Sequence, residues 1–315
     1  MSSLPPNRTP SSAFSLPAQG VLAAAGCYLL WGIVPLFWRL LGSVDAVELI
    51  AHRHVWSLAF LLPILIACGE WTAFRAALRS PRDWGINLVS ASLLTMNWLI
   101  YVWGVQAGQV IECSLGYFLV PILNVVLGRV VLGESLRPLQ RAAVTVAAAG
   151  VGLLIWRLGH FPWIALGLAA SFGFYGLLRK KSPLGPMLGL TVETSLLAPV
   201  AAGLLLWKAT HDEGALGHSD LPTTLLVLST GVVTAIPLLL FGVAARRLRM
   251  VTLGLLQYLA PTCQFLIGWL WFREPFTTER AAAFALIWAG LALYSADALI
   301  SQRPRPAPTA EPAAP

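Results

Sequence analysis

Ten apolar stretches, separated by short polar or charged segments, account for most of the chain. A helix needs about 20 mostly apolar residues to cross the roughly 30 Å hydrocarbon core of a bilayer, and each stretch is close to that length. Helices are favoured in lipid because they satisfy their own backbone hydrogen bonds. The pattern predicts ten transmembrane helices, at Gln19–Leu41, Ala46–Cys68, Trp84–Gly108, Gln109–Leu132, Pro138–Trp156, Pro162–Leu178, Pro186–Trp207, Leu221–Ala245, Met250–Phe272 and Thr278–Ile300.

The segments that flank the apolar region are rich in proline. Residues 1–18 and 301–315 are therefore predicted to be disordered tails. The first apolar stretch is not preceded by a short basic region or followed by a small-residue cleavage site, so we interpret it as a retained helix and not as a signal peptide.

The two halves of the apolar region, residues 19–156 and 162–300, resemble each other at an offset of 140 residues. The matched positions are Ser114 with Gly254, Tyr117 with Gln257, Pro121 with Pro261, Asn124 with Gln264, Gly128 with Gly268, Glu134 with Glu274 and Gly150 with Gly290. Each half holds five predicted helices, an odd number, so the second half would enter the membrane from the opposite side. The sequence thus predicts an all-α integral membrane protein of two inverted five-helix repeats, an architecture typical of secondary transporters.

The loops differ in their content of lysine and arginine. If the N-terminus is cytoplasmic, 15 basic residues lie on the cytoplasmic side and 5 on the outer side. Cytoplasmic loops of membrane proteins carry the excess of basic residues. Both termini are therefore predicted to be cytoplasmic.

The composition indicates that lipid is the main solvent. Only 11% of the residues are charged, whereas a soluble domain has about 25%. The net charge of +7 does not indicate a nucleic-acid partner, because the basic residues are scattered over short loops. The four cysteines lack the spacing of a metal site, and no phosphate loop or nucleophile elbow is present. We predict no metal, no cofactor and no enzymatic activity.

Polar and aromatic residues form stripes on several predicted helices. The stripe from Tyr117 to Asn124 on the fourth helix is repeated by that from Gln257 to Gln264 on the ninth. Such faces turn away from lipid, toward neighbouring helices or a cavity, and packing explains them as well as ligand binding does. With the aromatic residues of the first, third and sixth helices, they predict a substrate site of Trp31, Asn97, Trp98, Tyr117, Tyr175 and Gln257.

Ionisable residues also lie within or at the ends of apolar stretches. Arg53 and Glu193 occupy matched positions, 140 residues apart. A charge at membrane depth costs at least about 2.5–3.5 kcal/mol on insertion scales, so Arg53 should face the bundle and have a partner. We predict that Arg53, Glu193 and His52 act in gating or proton coupling. The alternative is that Arg53 extends its side chain to the outer surface.

Several local sequences jointly resemble RarD-type proteins, over residues 18–300. They are Trp31-Gly32 with Pro35, Ala51-His52-Arg53, Trp56-Ser57, Asn97-Trp98, Ser114-Leu115-Gly116-Tyr117-Phe118, Leu132-Gly133-Glu134, Phe174-Tyr175-Gly176-Leu177, Glu193-Thr194, Arg247-Leu248-Arg249, Thr252-Leu253-Gly254 and Gln257-Tyr258. RarD-type proteins form part of the EamA family in the drug/metabolite transporter superfamily. The resemblance implies ten helices in inverted EamA-type repeats, a central cavity and a location in the bacterial inner membrane. The family label refers to chloramphenicol sensitivity.

Residues and resemblance together predict a secondary-active permease or exporter of a small drug-like molecule or metabolite, working by alternating access and coupled to protons. The small-residue faces of the fifth and tenth helices would serve either internal packing or a homodimer. Two competing hypotheses are a membrane receptor or assembly subunit that transports nothing and, with less support, an intramembrane enzyme. An enzyme would need a nucleophile or an acid–base cluster at one depth, and the sequence shows no such convergence.

Overall fold

The computed structural model describes residues 16–106, 110–158, 161–217, 219–267, 270 and 278–301. Within these ranges every regular element is helical. The helices are α1 (Leu16–Leu40), α2 (Ala46–Ala67), α3 (Trp71–Arg79), α4 (Pro81–Gln106), α5 (Val110–Val131), α6 (Pro138–Leu158), α7 (Trp163–Lys181), α8 (Pro186–Thr210), α9 (Leu221–Arg247), α10 (Met250–Gln257), α11 (Leu259–Leu266) and α12 (Thr278–Ser301).

The helices follow the predicted apolar stretches, apart from small shifts at their ends and two differences. Helix α1 begins at Leu16, within the predicted N-terminal tail, and α12 ends at Ser301, the first residue of the predicted C-terminal tail; the rest of both predicted tails lies outside the described residues. The short helix α3 was not predicted, because its polar and apolar residues alternate around the helix and only Phe74 and Ala77 are buried. The ninth stretch is divided into α10 and α11 at Tyr258. Pro261 lies just after this break and has no N–H to donate to the carbonyl of Gln257. The N–H of Tyr258 bonds instead to the carbonyl of Leu255, at 3.3 Å, in a tighter turn.

Among the residues that the structure describes, four helices, α1, α2, α8 and α9, are long and apolar enough to cross a membrane. Shorter apolar segments lie at Leu115–Val131 and Ala281–Asp297. Large apolar side chains point outward, among them Val130, which is 76% exposed, and Val200, which is 74% exposed. Water-soluble monomers rarely leave a broad apolar surface uncovered, whereas lipid solvates one without cost.

Helices α6 and α12 pack closely through small residues. A β-carbon added to Gly150 would lie 2.8 Å from the carbonyl oxygen of Ala283. One added to Gly290 would lie 2.7 Å from the carbonyl oxygen of Ala143. These small residues therefore serve packing within the chain.

Two carboxylates connect distant parts of the chain by capping helix N-termini. Glu134, after α5, accepts the N–H groups of Met250 (2.9 Å) and Val251 (3.2 Å) at the start of α10. Glu112, in α5, accepts the N–H of Ile164 at the start of α7, at 2.7 Å. An anion is stabilised at a helix N-terminus by the unpaired N–H groups and the helix dipole.

Candidate functional site

A cavity, here called the aromatic cavity, lies where α1, α4, α5, α7, α10 and α11 meet. Its space not filled by protein atoms is about 660 Å³, counting the part open to the outside. It is lined by Trp31, Val34, Pro35, Trp38, Asn97, Trp98, Tyr101, Tyr117, Phe172, Gln257, Ala260, Pro261 and Gln264. No charged side chain is among these lining residues, so the cavity suits an apolar or aromatic molecule with a few hydrogen-bonding groups.

The aromatic rings meet mostly edge to face. The ring centroids of Trp31 and Phe172 are 5.4 Å apart at an interplanar angle of 78°, and those of Trp38 and Trp98 are 5.6 Å apart at 71°. Tyr117 joins this wall through Tyr101, 5.6 Å away. Edge-to-face pairs are favourable arrangements, so these rings stabilise one another in the wall.

The amide side chains of the cavity are held by neighbouring helices. Asn97 donates from Nδ2 to the carbonyl of Leu168 (2.9 Å) and to Oγ of Ser171 (3.0 Å), both in α7. Gln257 accepts at Oε1 from Nδ2 of Asn124, at 3.0 Å. These amides therefore bridge helices, and those of Asn97 and Gln257 also line the cavity.

A second, smaller space, here called the polar cavity, lies between α2, α4, α8 and α9. Its unfilled volume is about 350 Å³. It is lined by Arg53, His54, Ser57, Ala91, Leu94, Leu190, Glu193, Thr194, Thr234, Ala235 and Leu238. The matched residues Arg53 and Glu193 thus face one small space.

Arg53 is buried and does not extend to the surface. It is 2% exposed, and its Cζ atom lies 4.3 Å from the centroid of the Trp98 ring. Its Nε and Nη1 atoms have no hydrogen-bond partner among the described residues. Trp98 also lines the aromatic cavity, so the same ring contacts both the guanidinium and that cavity.

Glu193 is paired with a residue that the sequence did not single out. Its Oε1 atom lies 3.3 Å from Nη1 of Arg179 and accepts a hydrogen bond from Oγ of Ser90 at 2.6 Å. Arg179 is 2% exposed. Space for it is provided by Gly189, where a β-carbon would lie 2.2 Å from Nη1.

His52 lies in a different network, beside the segment between α8 and α9. Its Nε2 atom is 3.3 Å from Oε1 of Glu48, and its Nδ1 accepts from the indole N–H of Trp56 at 3.3 Å. Glu48 also binds Nζ of Lys208 (3.3 Å) and the N–H of Ala215 (2.6 Å). His52 lines neither cavity.

The aromatic cavity brings together five of the six residues predicted to bind substrate, namely Trp31, Asn97, Trp98, Tyr117 and Gln257. The sixth, Tyr175, packs against Phe241 with ring centroids 5.7 Å apart and does not line the cavity. Sequence reasoning missed Trp38, Tyr101 and Gln264 as lining residues. Tyr101 lies four residues after Asn97, and Gln264 lies on the stripe that begins at Gln257. Helical spacing could therefore have predicted both as lining residues.

Comparison with known proteins gives the family. A sequence model described as the EamA-like transporter family matches residues 18–156. The protein RarD of Streptomyces exfoliatus is 44% identical over 90% of this chain and 90% of its own length. The chain is a RarD-type member of the EamA-like transporter family.

A second relative and a solved structure agree with this assignment. Protein RarD of Escherichia coli strain K12 is 40% identical to this RarD-type chain over 90% of the chain and 96% of the relative. A crystal structure with 22% identity superposes with a TM-score of 0.67 and covers 90% of this chain and 99% of the other, which supports the fold alone. Family and apolar helices together make this a multi-pass membrane protein of a transporter family, in the bacterial inner membrane.

Proposed function

We propose that this RarD-type protein is a secondary-active permease, working as an exporter, of a small drug-like molecule or metabolite. The molecule binds in the aromatic cavity and crosses by alternating access. The proposal includes ten membrane crossings in two inverted halves, with both termini in the cytoplasm. The observation that carries it is that helices of both halves line the aromatic cavity: α1, α4 and α5 from the first, and α7, α10 and α11 from the second.

Reciprocal contacts between α6 and α12 support the inverted repeat. Gly150 approaches Ala283, and Gly290 approaches Ala143 at nearly the same distance. Both members of the second contact are displaced by 140 residues from those of the first. A two-fold relation between the halves gives this exchange of partners, because each helix then presents the same face to the other.

The helix pairing supports the same relation. Helix α1 packs against α9, and α4 packs against α7, the corresponding pair with the halves exchanged. Helix α2 packs against its own counterpart, α8. Each half thus contacts the other along most of its length, and small rotations between the halves would change which end of the aromatic cavity is open.

The lining limits the class of molecule. Rings on several sides favour a planar or aromatic group, and the amides of Asn97 and Gln257 fit molecules with a few polar atoms.

Proton coupling through Arg53 and Glu193 is part of the proposal. Glu193 has one unpartnered oxygen, Oε2, and lines the polar cavity with Arg53. A change of partner, from Arg179 in this state to Arg53 in another, would couple the charge of Glu193 to the relative position of α2 and α8. His52 stays a prediction, because its contacts are with Glu48 and Trp56.

Efflux from vesicles tests the function. Proteoliposomes are loaded with a bacterial metabolite extract and chloramphenicol, a pH gradient of either sign is imposed, and released compounds are identified by mass spectrometry against protein-free vesicles. We expect at least one compound that only the protein releases. Trp98→Ala should slow its release about tenfold or more, because loss of a buried aromatic anchor costs about 1.4 kcal/mol or more.

Trp103→Ala is the matched control, because Trp103 packs on Trp163 and is 51% exposed, outside both cavities. It should leave the release rate within about twofold, as a surface substitution does. Arg53→Ala should abolish the effect of the pH gradient. If folded protein releases no compound under either gradient, transport is refuted, and a receptor or assembly subunit becomes the better reading.

A further inference from the structure

The polar cavity holds several buried polar atoms that lack a hydrogen-bond partner among the described residues. They are Nε and Nη1 of Arg53, Oε2 of Glu193 and Oγ1 of Thr234. All three residues line the polar cavity. Buried polar groups in proteins are nearly always paired, so such a cluster around one space indicates an occupant that the protein does not supply.

The charges around the polar cavity do not balance. Arg53 and Glu193 line the cavity, and Glu193 is already paired with a second buried cation, Arg179, at 3.3 Å. No other carboxylate lines the cavity. His54 is bonded to Oγ1 of Thr95 at 3.1 Å and brings no negative charge. Because Arg179 pairs with Glu193, while Arg53 forms no ion pair among the described residues, these three side chains together carry one positive charge without a paired anion.

An unpaired charge on Arg53 is costly because its side chain is buried inside a membrane protein. A buried charge in a membrane protein is normally paired or faces a water-filled path. The π face of Trp98 stabilises the guanidinium in part, but it offers no hydrogen-bond acceptor of its own. An occupant with one negative charge and oxygen acceptors would satisfy both the charge and the free N–H groups.

We propose that the polar cavity binds one carboxylate group, held by Arg53. The proposal rests on the proposed function in one respect: Arg53 lies against Trp98, which lines the aromatic cavity, so a molecule whose ring occupies that cavity could place its carboxylate on Arg53 if the Trp98 ring turned aside. The carboxylate has two sources, the transported molecule itself or a free small acid. In either case it competes with Glu193 for Arg53.

Calorimetric binding to the purified protein in detergent tests this without transport. The probes are 3-phenylpropionate, its uncharged amide, acetate and chloride, in a buffer free of other carboxylates. We expect 3-phenylpropionate to bind at least about tenfold more tightly than the amide, because a charge-assisted hydrogen bond is about twice as strong as a neutral one. Arg53→Gln should remove that preference and leave the amide's affinity unchanged, while Arg53→Lys should keep part of it.

Arg75→Gln, a change of an exposed arginine in α3, is the matched control and should alter none of these affinities. If acetate competes with 3-phenylpropionate, the site accepts a free small acid; if it does not, the carboxylate must belong to a molecule that also fills the aromatic cavity. The proposal is overturned if no carboxylate binds at millimolar concentration, if acid and amide bind equally, if Arg53→Gln leaves the preference intact, or if chloride binds as well as the carboxylates. None of these results depends on whether vesicles show efflux.

Discussion

Removing Arg179 should leave Glu193 as an uncompensated buried charge. Both residues are 2% exposed, and 3.3 Å separates Nη1 of Arg179 from Oε1 of Glu193. Breaking a buried ion pair by removing one partner typically costs about 3–5 kcal/mol. Arg179→Met should lower the free energy of unfolding by an amount in this range. Part of that loss comes from the hydrogen bond that Arg179 donates to the carbonyl of Pro186, at 3.3 Å.

Removing both charges should cost less than removing Arg179 alone. A buried ion pair replaced by uncharged groups of similar volume is often neutral in stability. In the double variant, Arg179→Met with Glu193→Gln, the amide keeps an oxygen that can accept from Ser90, and neither member of the former pair is charged. We expect the double variant to recover at least about 2 kcal/mol relative to Arg179→Met, which is within the range of coupling energies for residues in contact.

Reversible unfolding in mixed micelles, followed by circular dichroism, measures these free energies. The double-mutant cycle isolates the coupling between the two side chains, and Arg75→Met controls for the loss of an exposed arginine. A stability loss below about 1 kcal/mol for Arg179→Met, the size expected of an exposed pair, would refute the reasoning. So would a double variant no more stable than Arg179→Met.

Three further substitutions test the packing, each by the midpoint of thermal unfolding in the same micelles. Gly231→Ala should destabilise by about 1–3 kcal/mol or more, because its β-carbon would lie 2.2 Å from the backbone carbon of Trp56; Gly203→Ala, which would meet nothing within 4 Å, is the control and should be neutral or stabilising. Glu134→Gln should cost about 1 kcal/mol by weakening the cap of α10, and equal midpoints for this variant and wild type would contradict the capping role. Gly189→Ala should displace Arg179 and approach the loss seen for Arg179→Met; a midpoint like that of Gly203→Ala would show that Arg179 has room to move.

The positions of the helices could be predicted well from the sequence, because lipid imposes a nearly uniform length on apolar stretches. The polar stripes also predicted which helix faces meet, and Tyr117 and Gln257 reached one cavity from matched helices. Helix α3 escaped this reasoning because it is short and amphipathic, so that its length carries no membrane signal.

Side-chain partners were harder to predict. Arg179 begins the run Arg179-Lys180-Lys181, which reads as a cytoplasmic loop, yet it turns inward to Glu193. The pairing depends on the absence of a side chain at Gly189, which no hydropathy pattern signals. Tyr175 was placed in the site because it shares a helix with Phe172, but it packs on Phe241 instead. The spacing of residues along a helix predicts which side chains share a face, but it does not predict which residues of other helices that face will contact.

Access to the aromatic cavity from each side of the membrane tests transport through it most directly. Val34→Cys places one thiol in the cavity lining, in a background where the native Cys27, Cys68, Cys113 and Cys263 are replaced by serine or alanine. A membrane-impermeant thiol reagent is applied to either face of sealed vesicles. Val200→Cys is the control, because Val200 lies on the exposed outer surface of the helix bundle and not in the cavity. Alternating access predicts labelling of position 34 from both faces, with the two rates changing in opposite directions when the released compound is added. Labelling from one face only, or from neither, whatever compound is present, would contradict it.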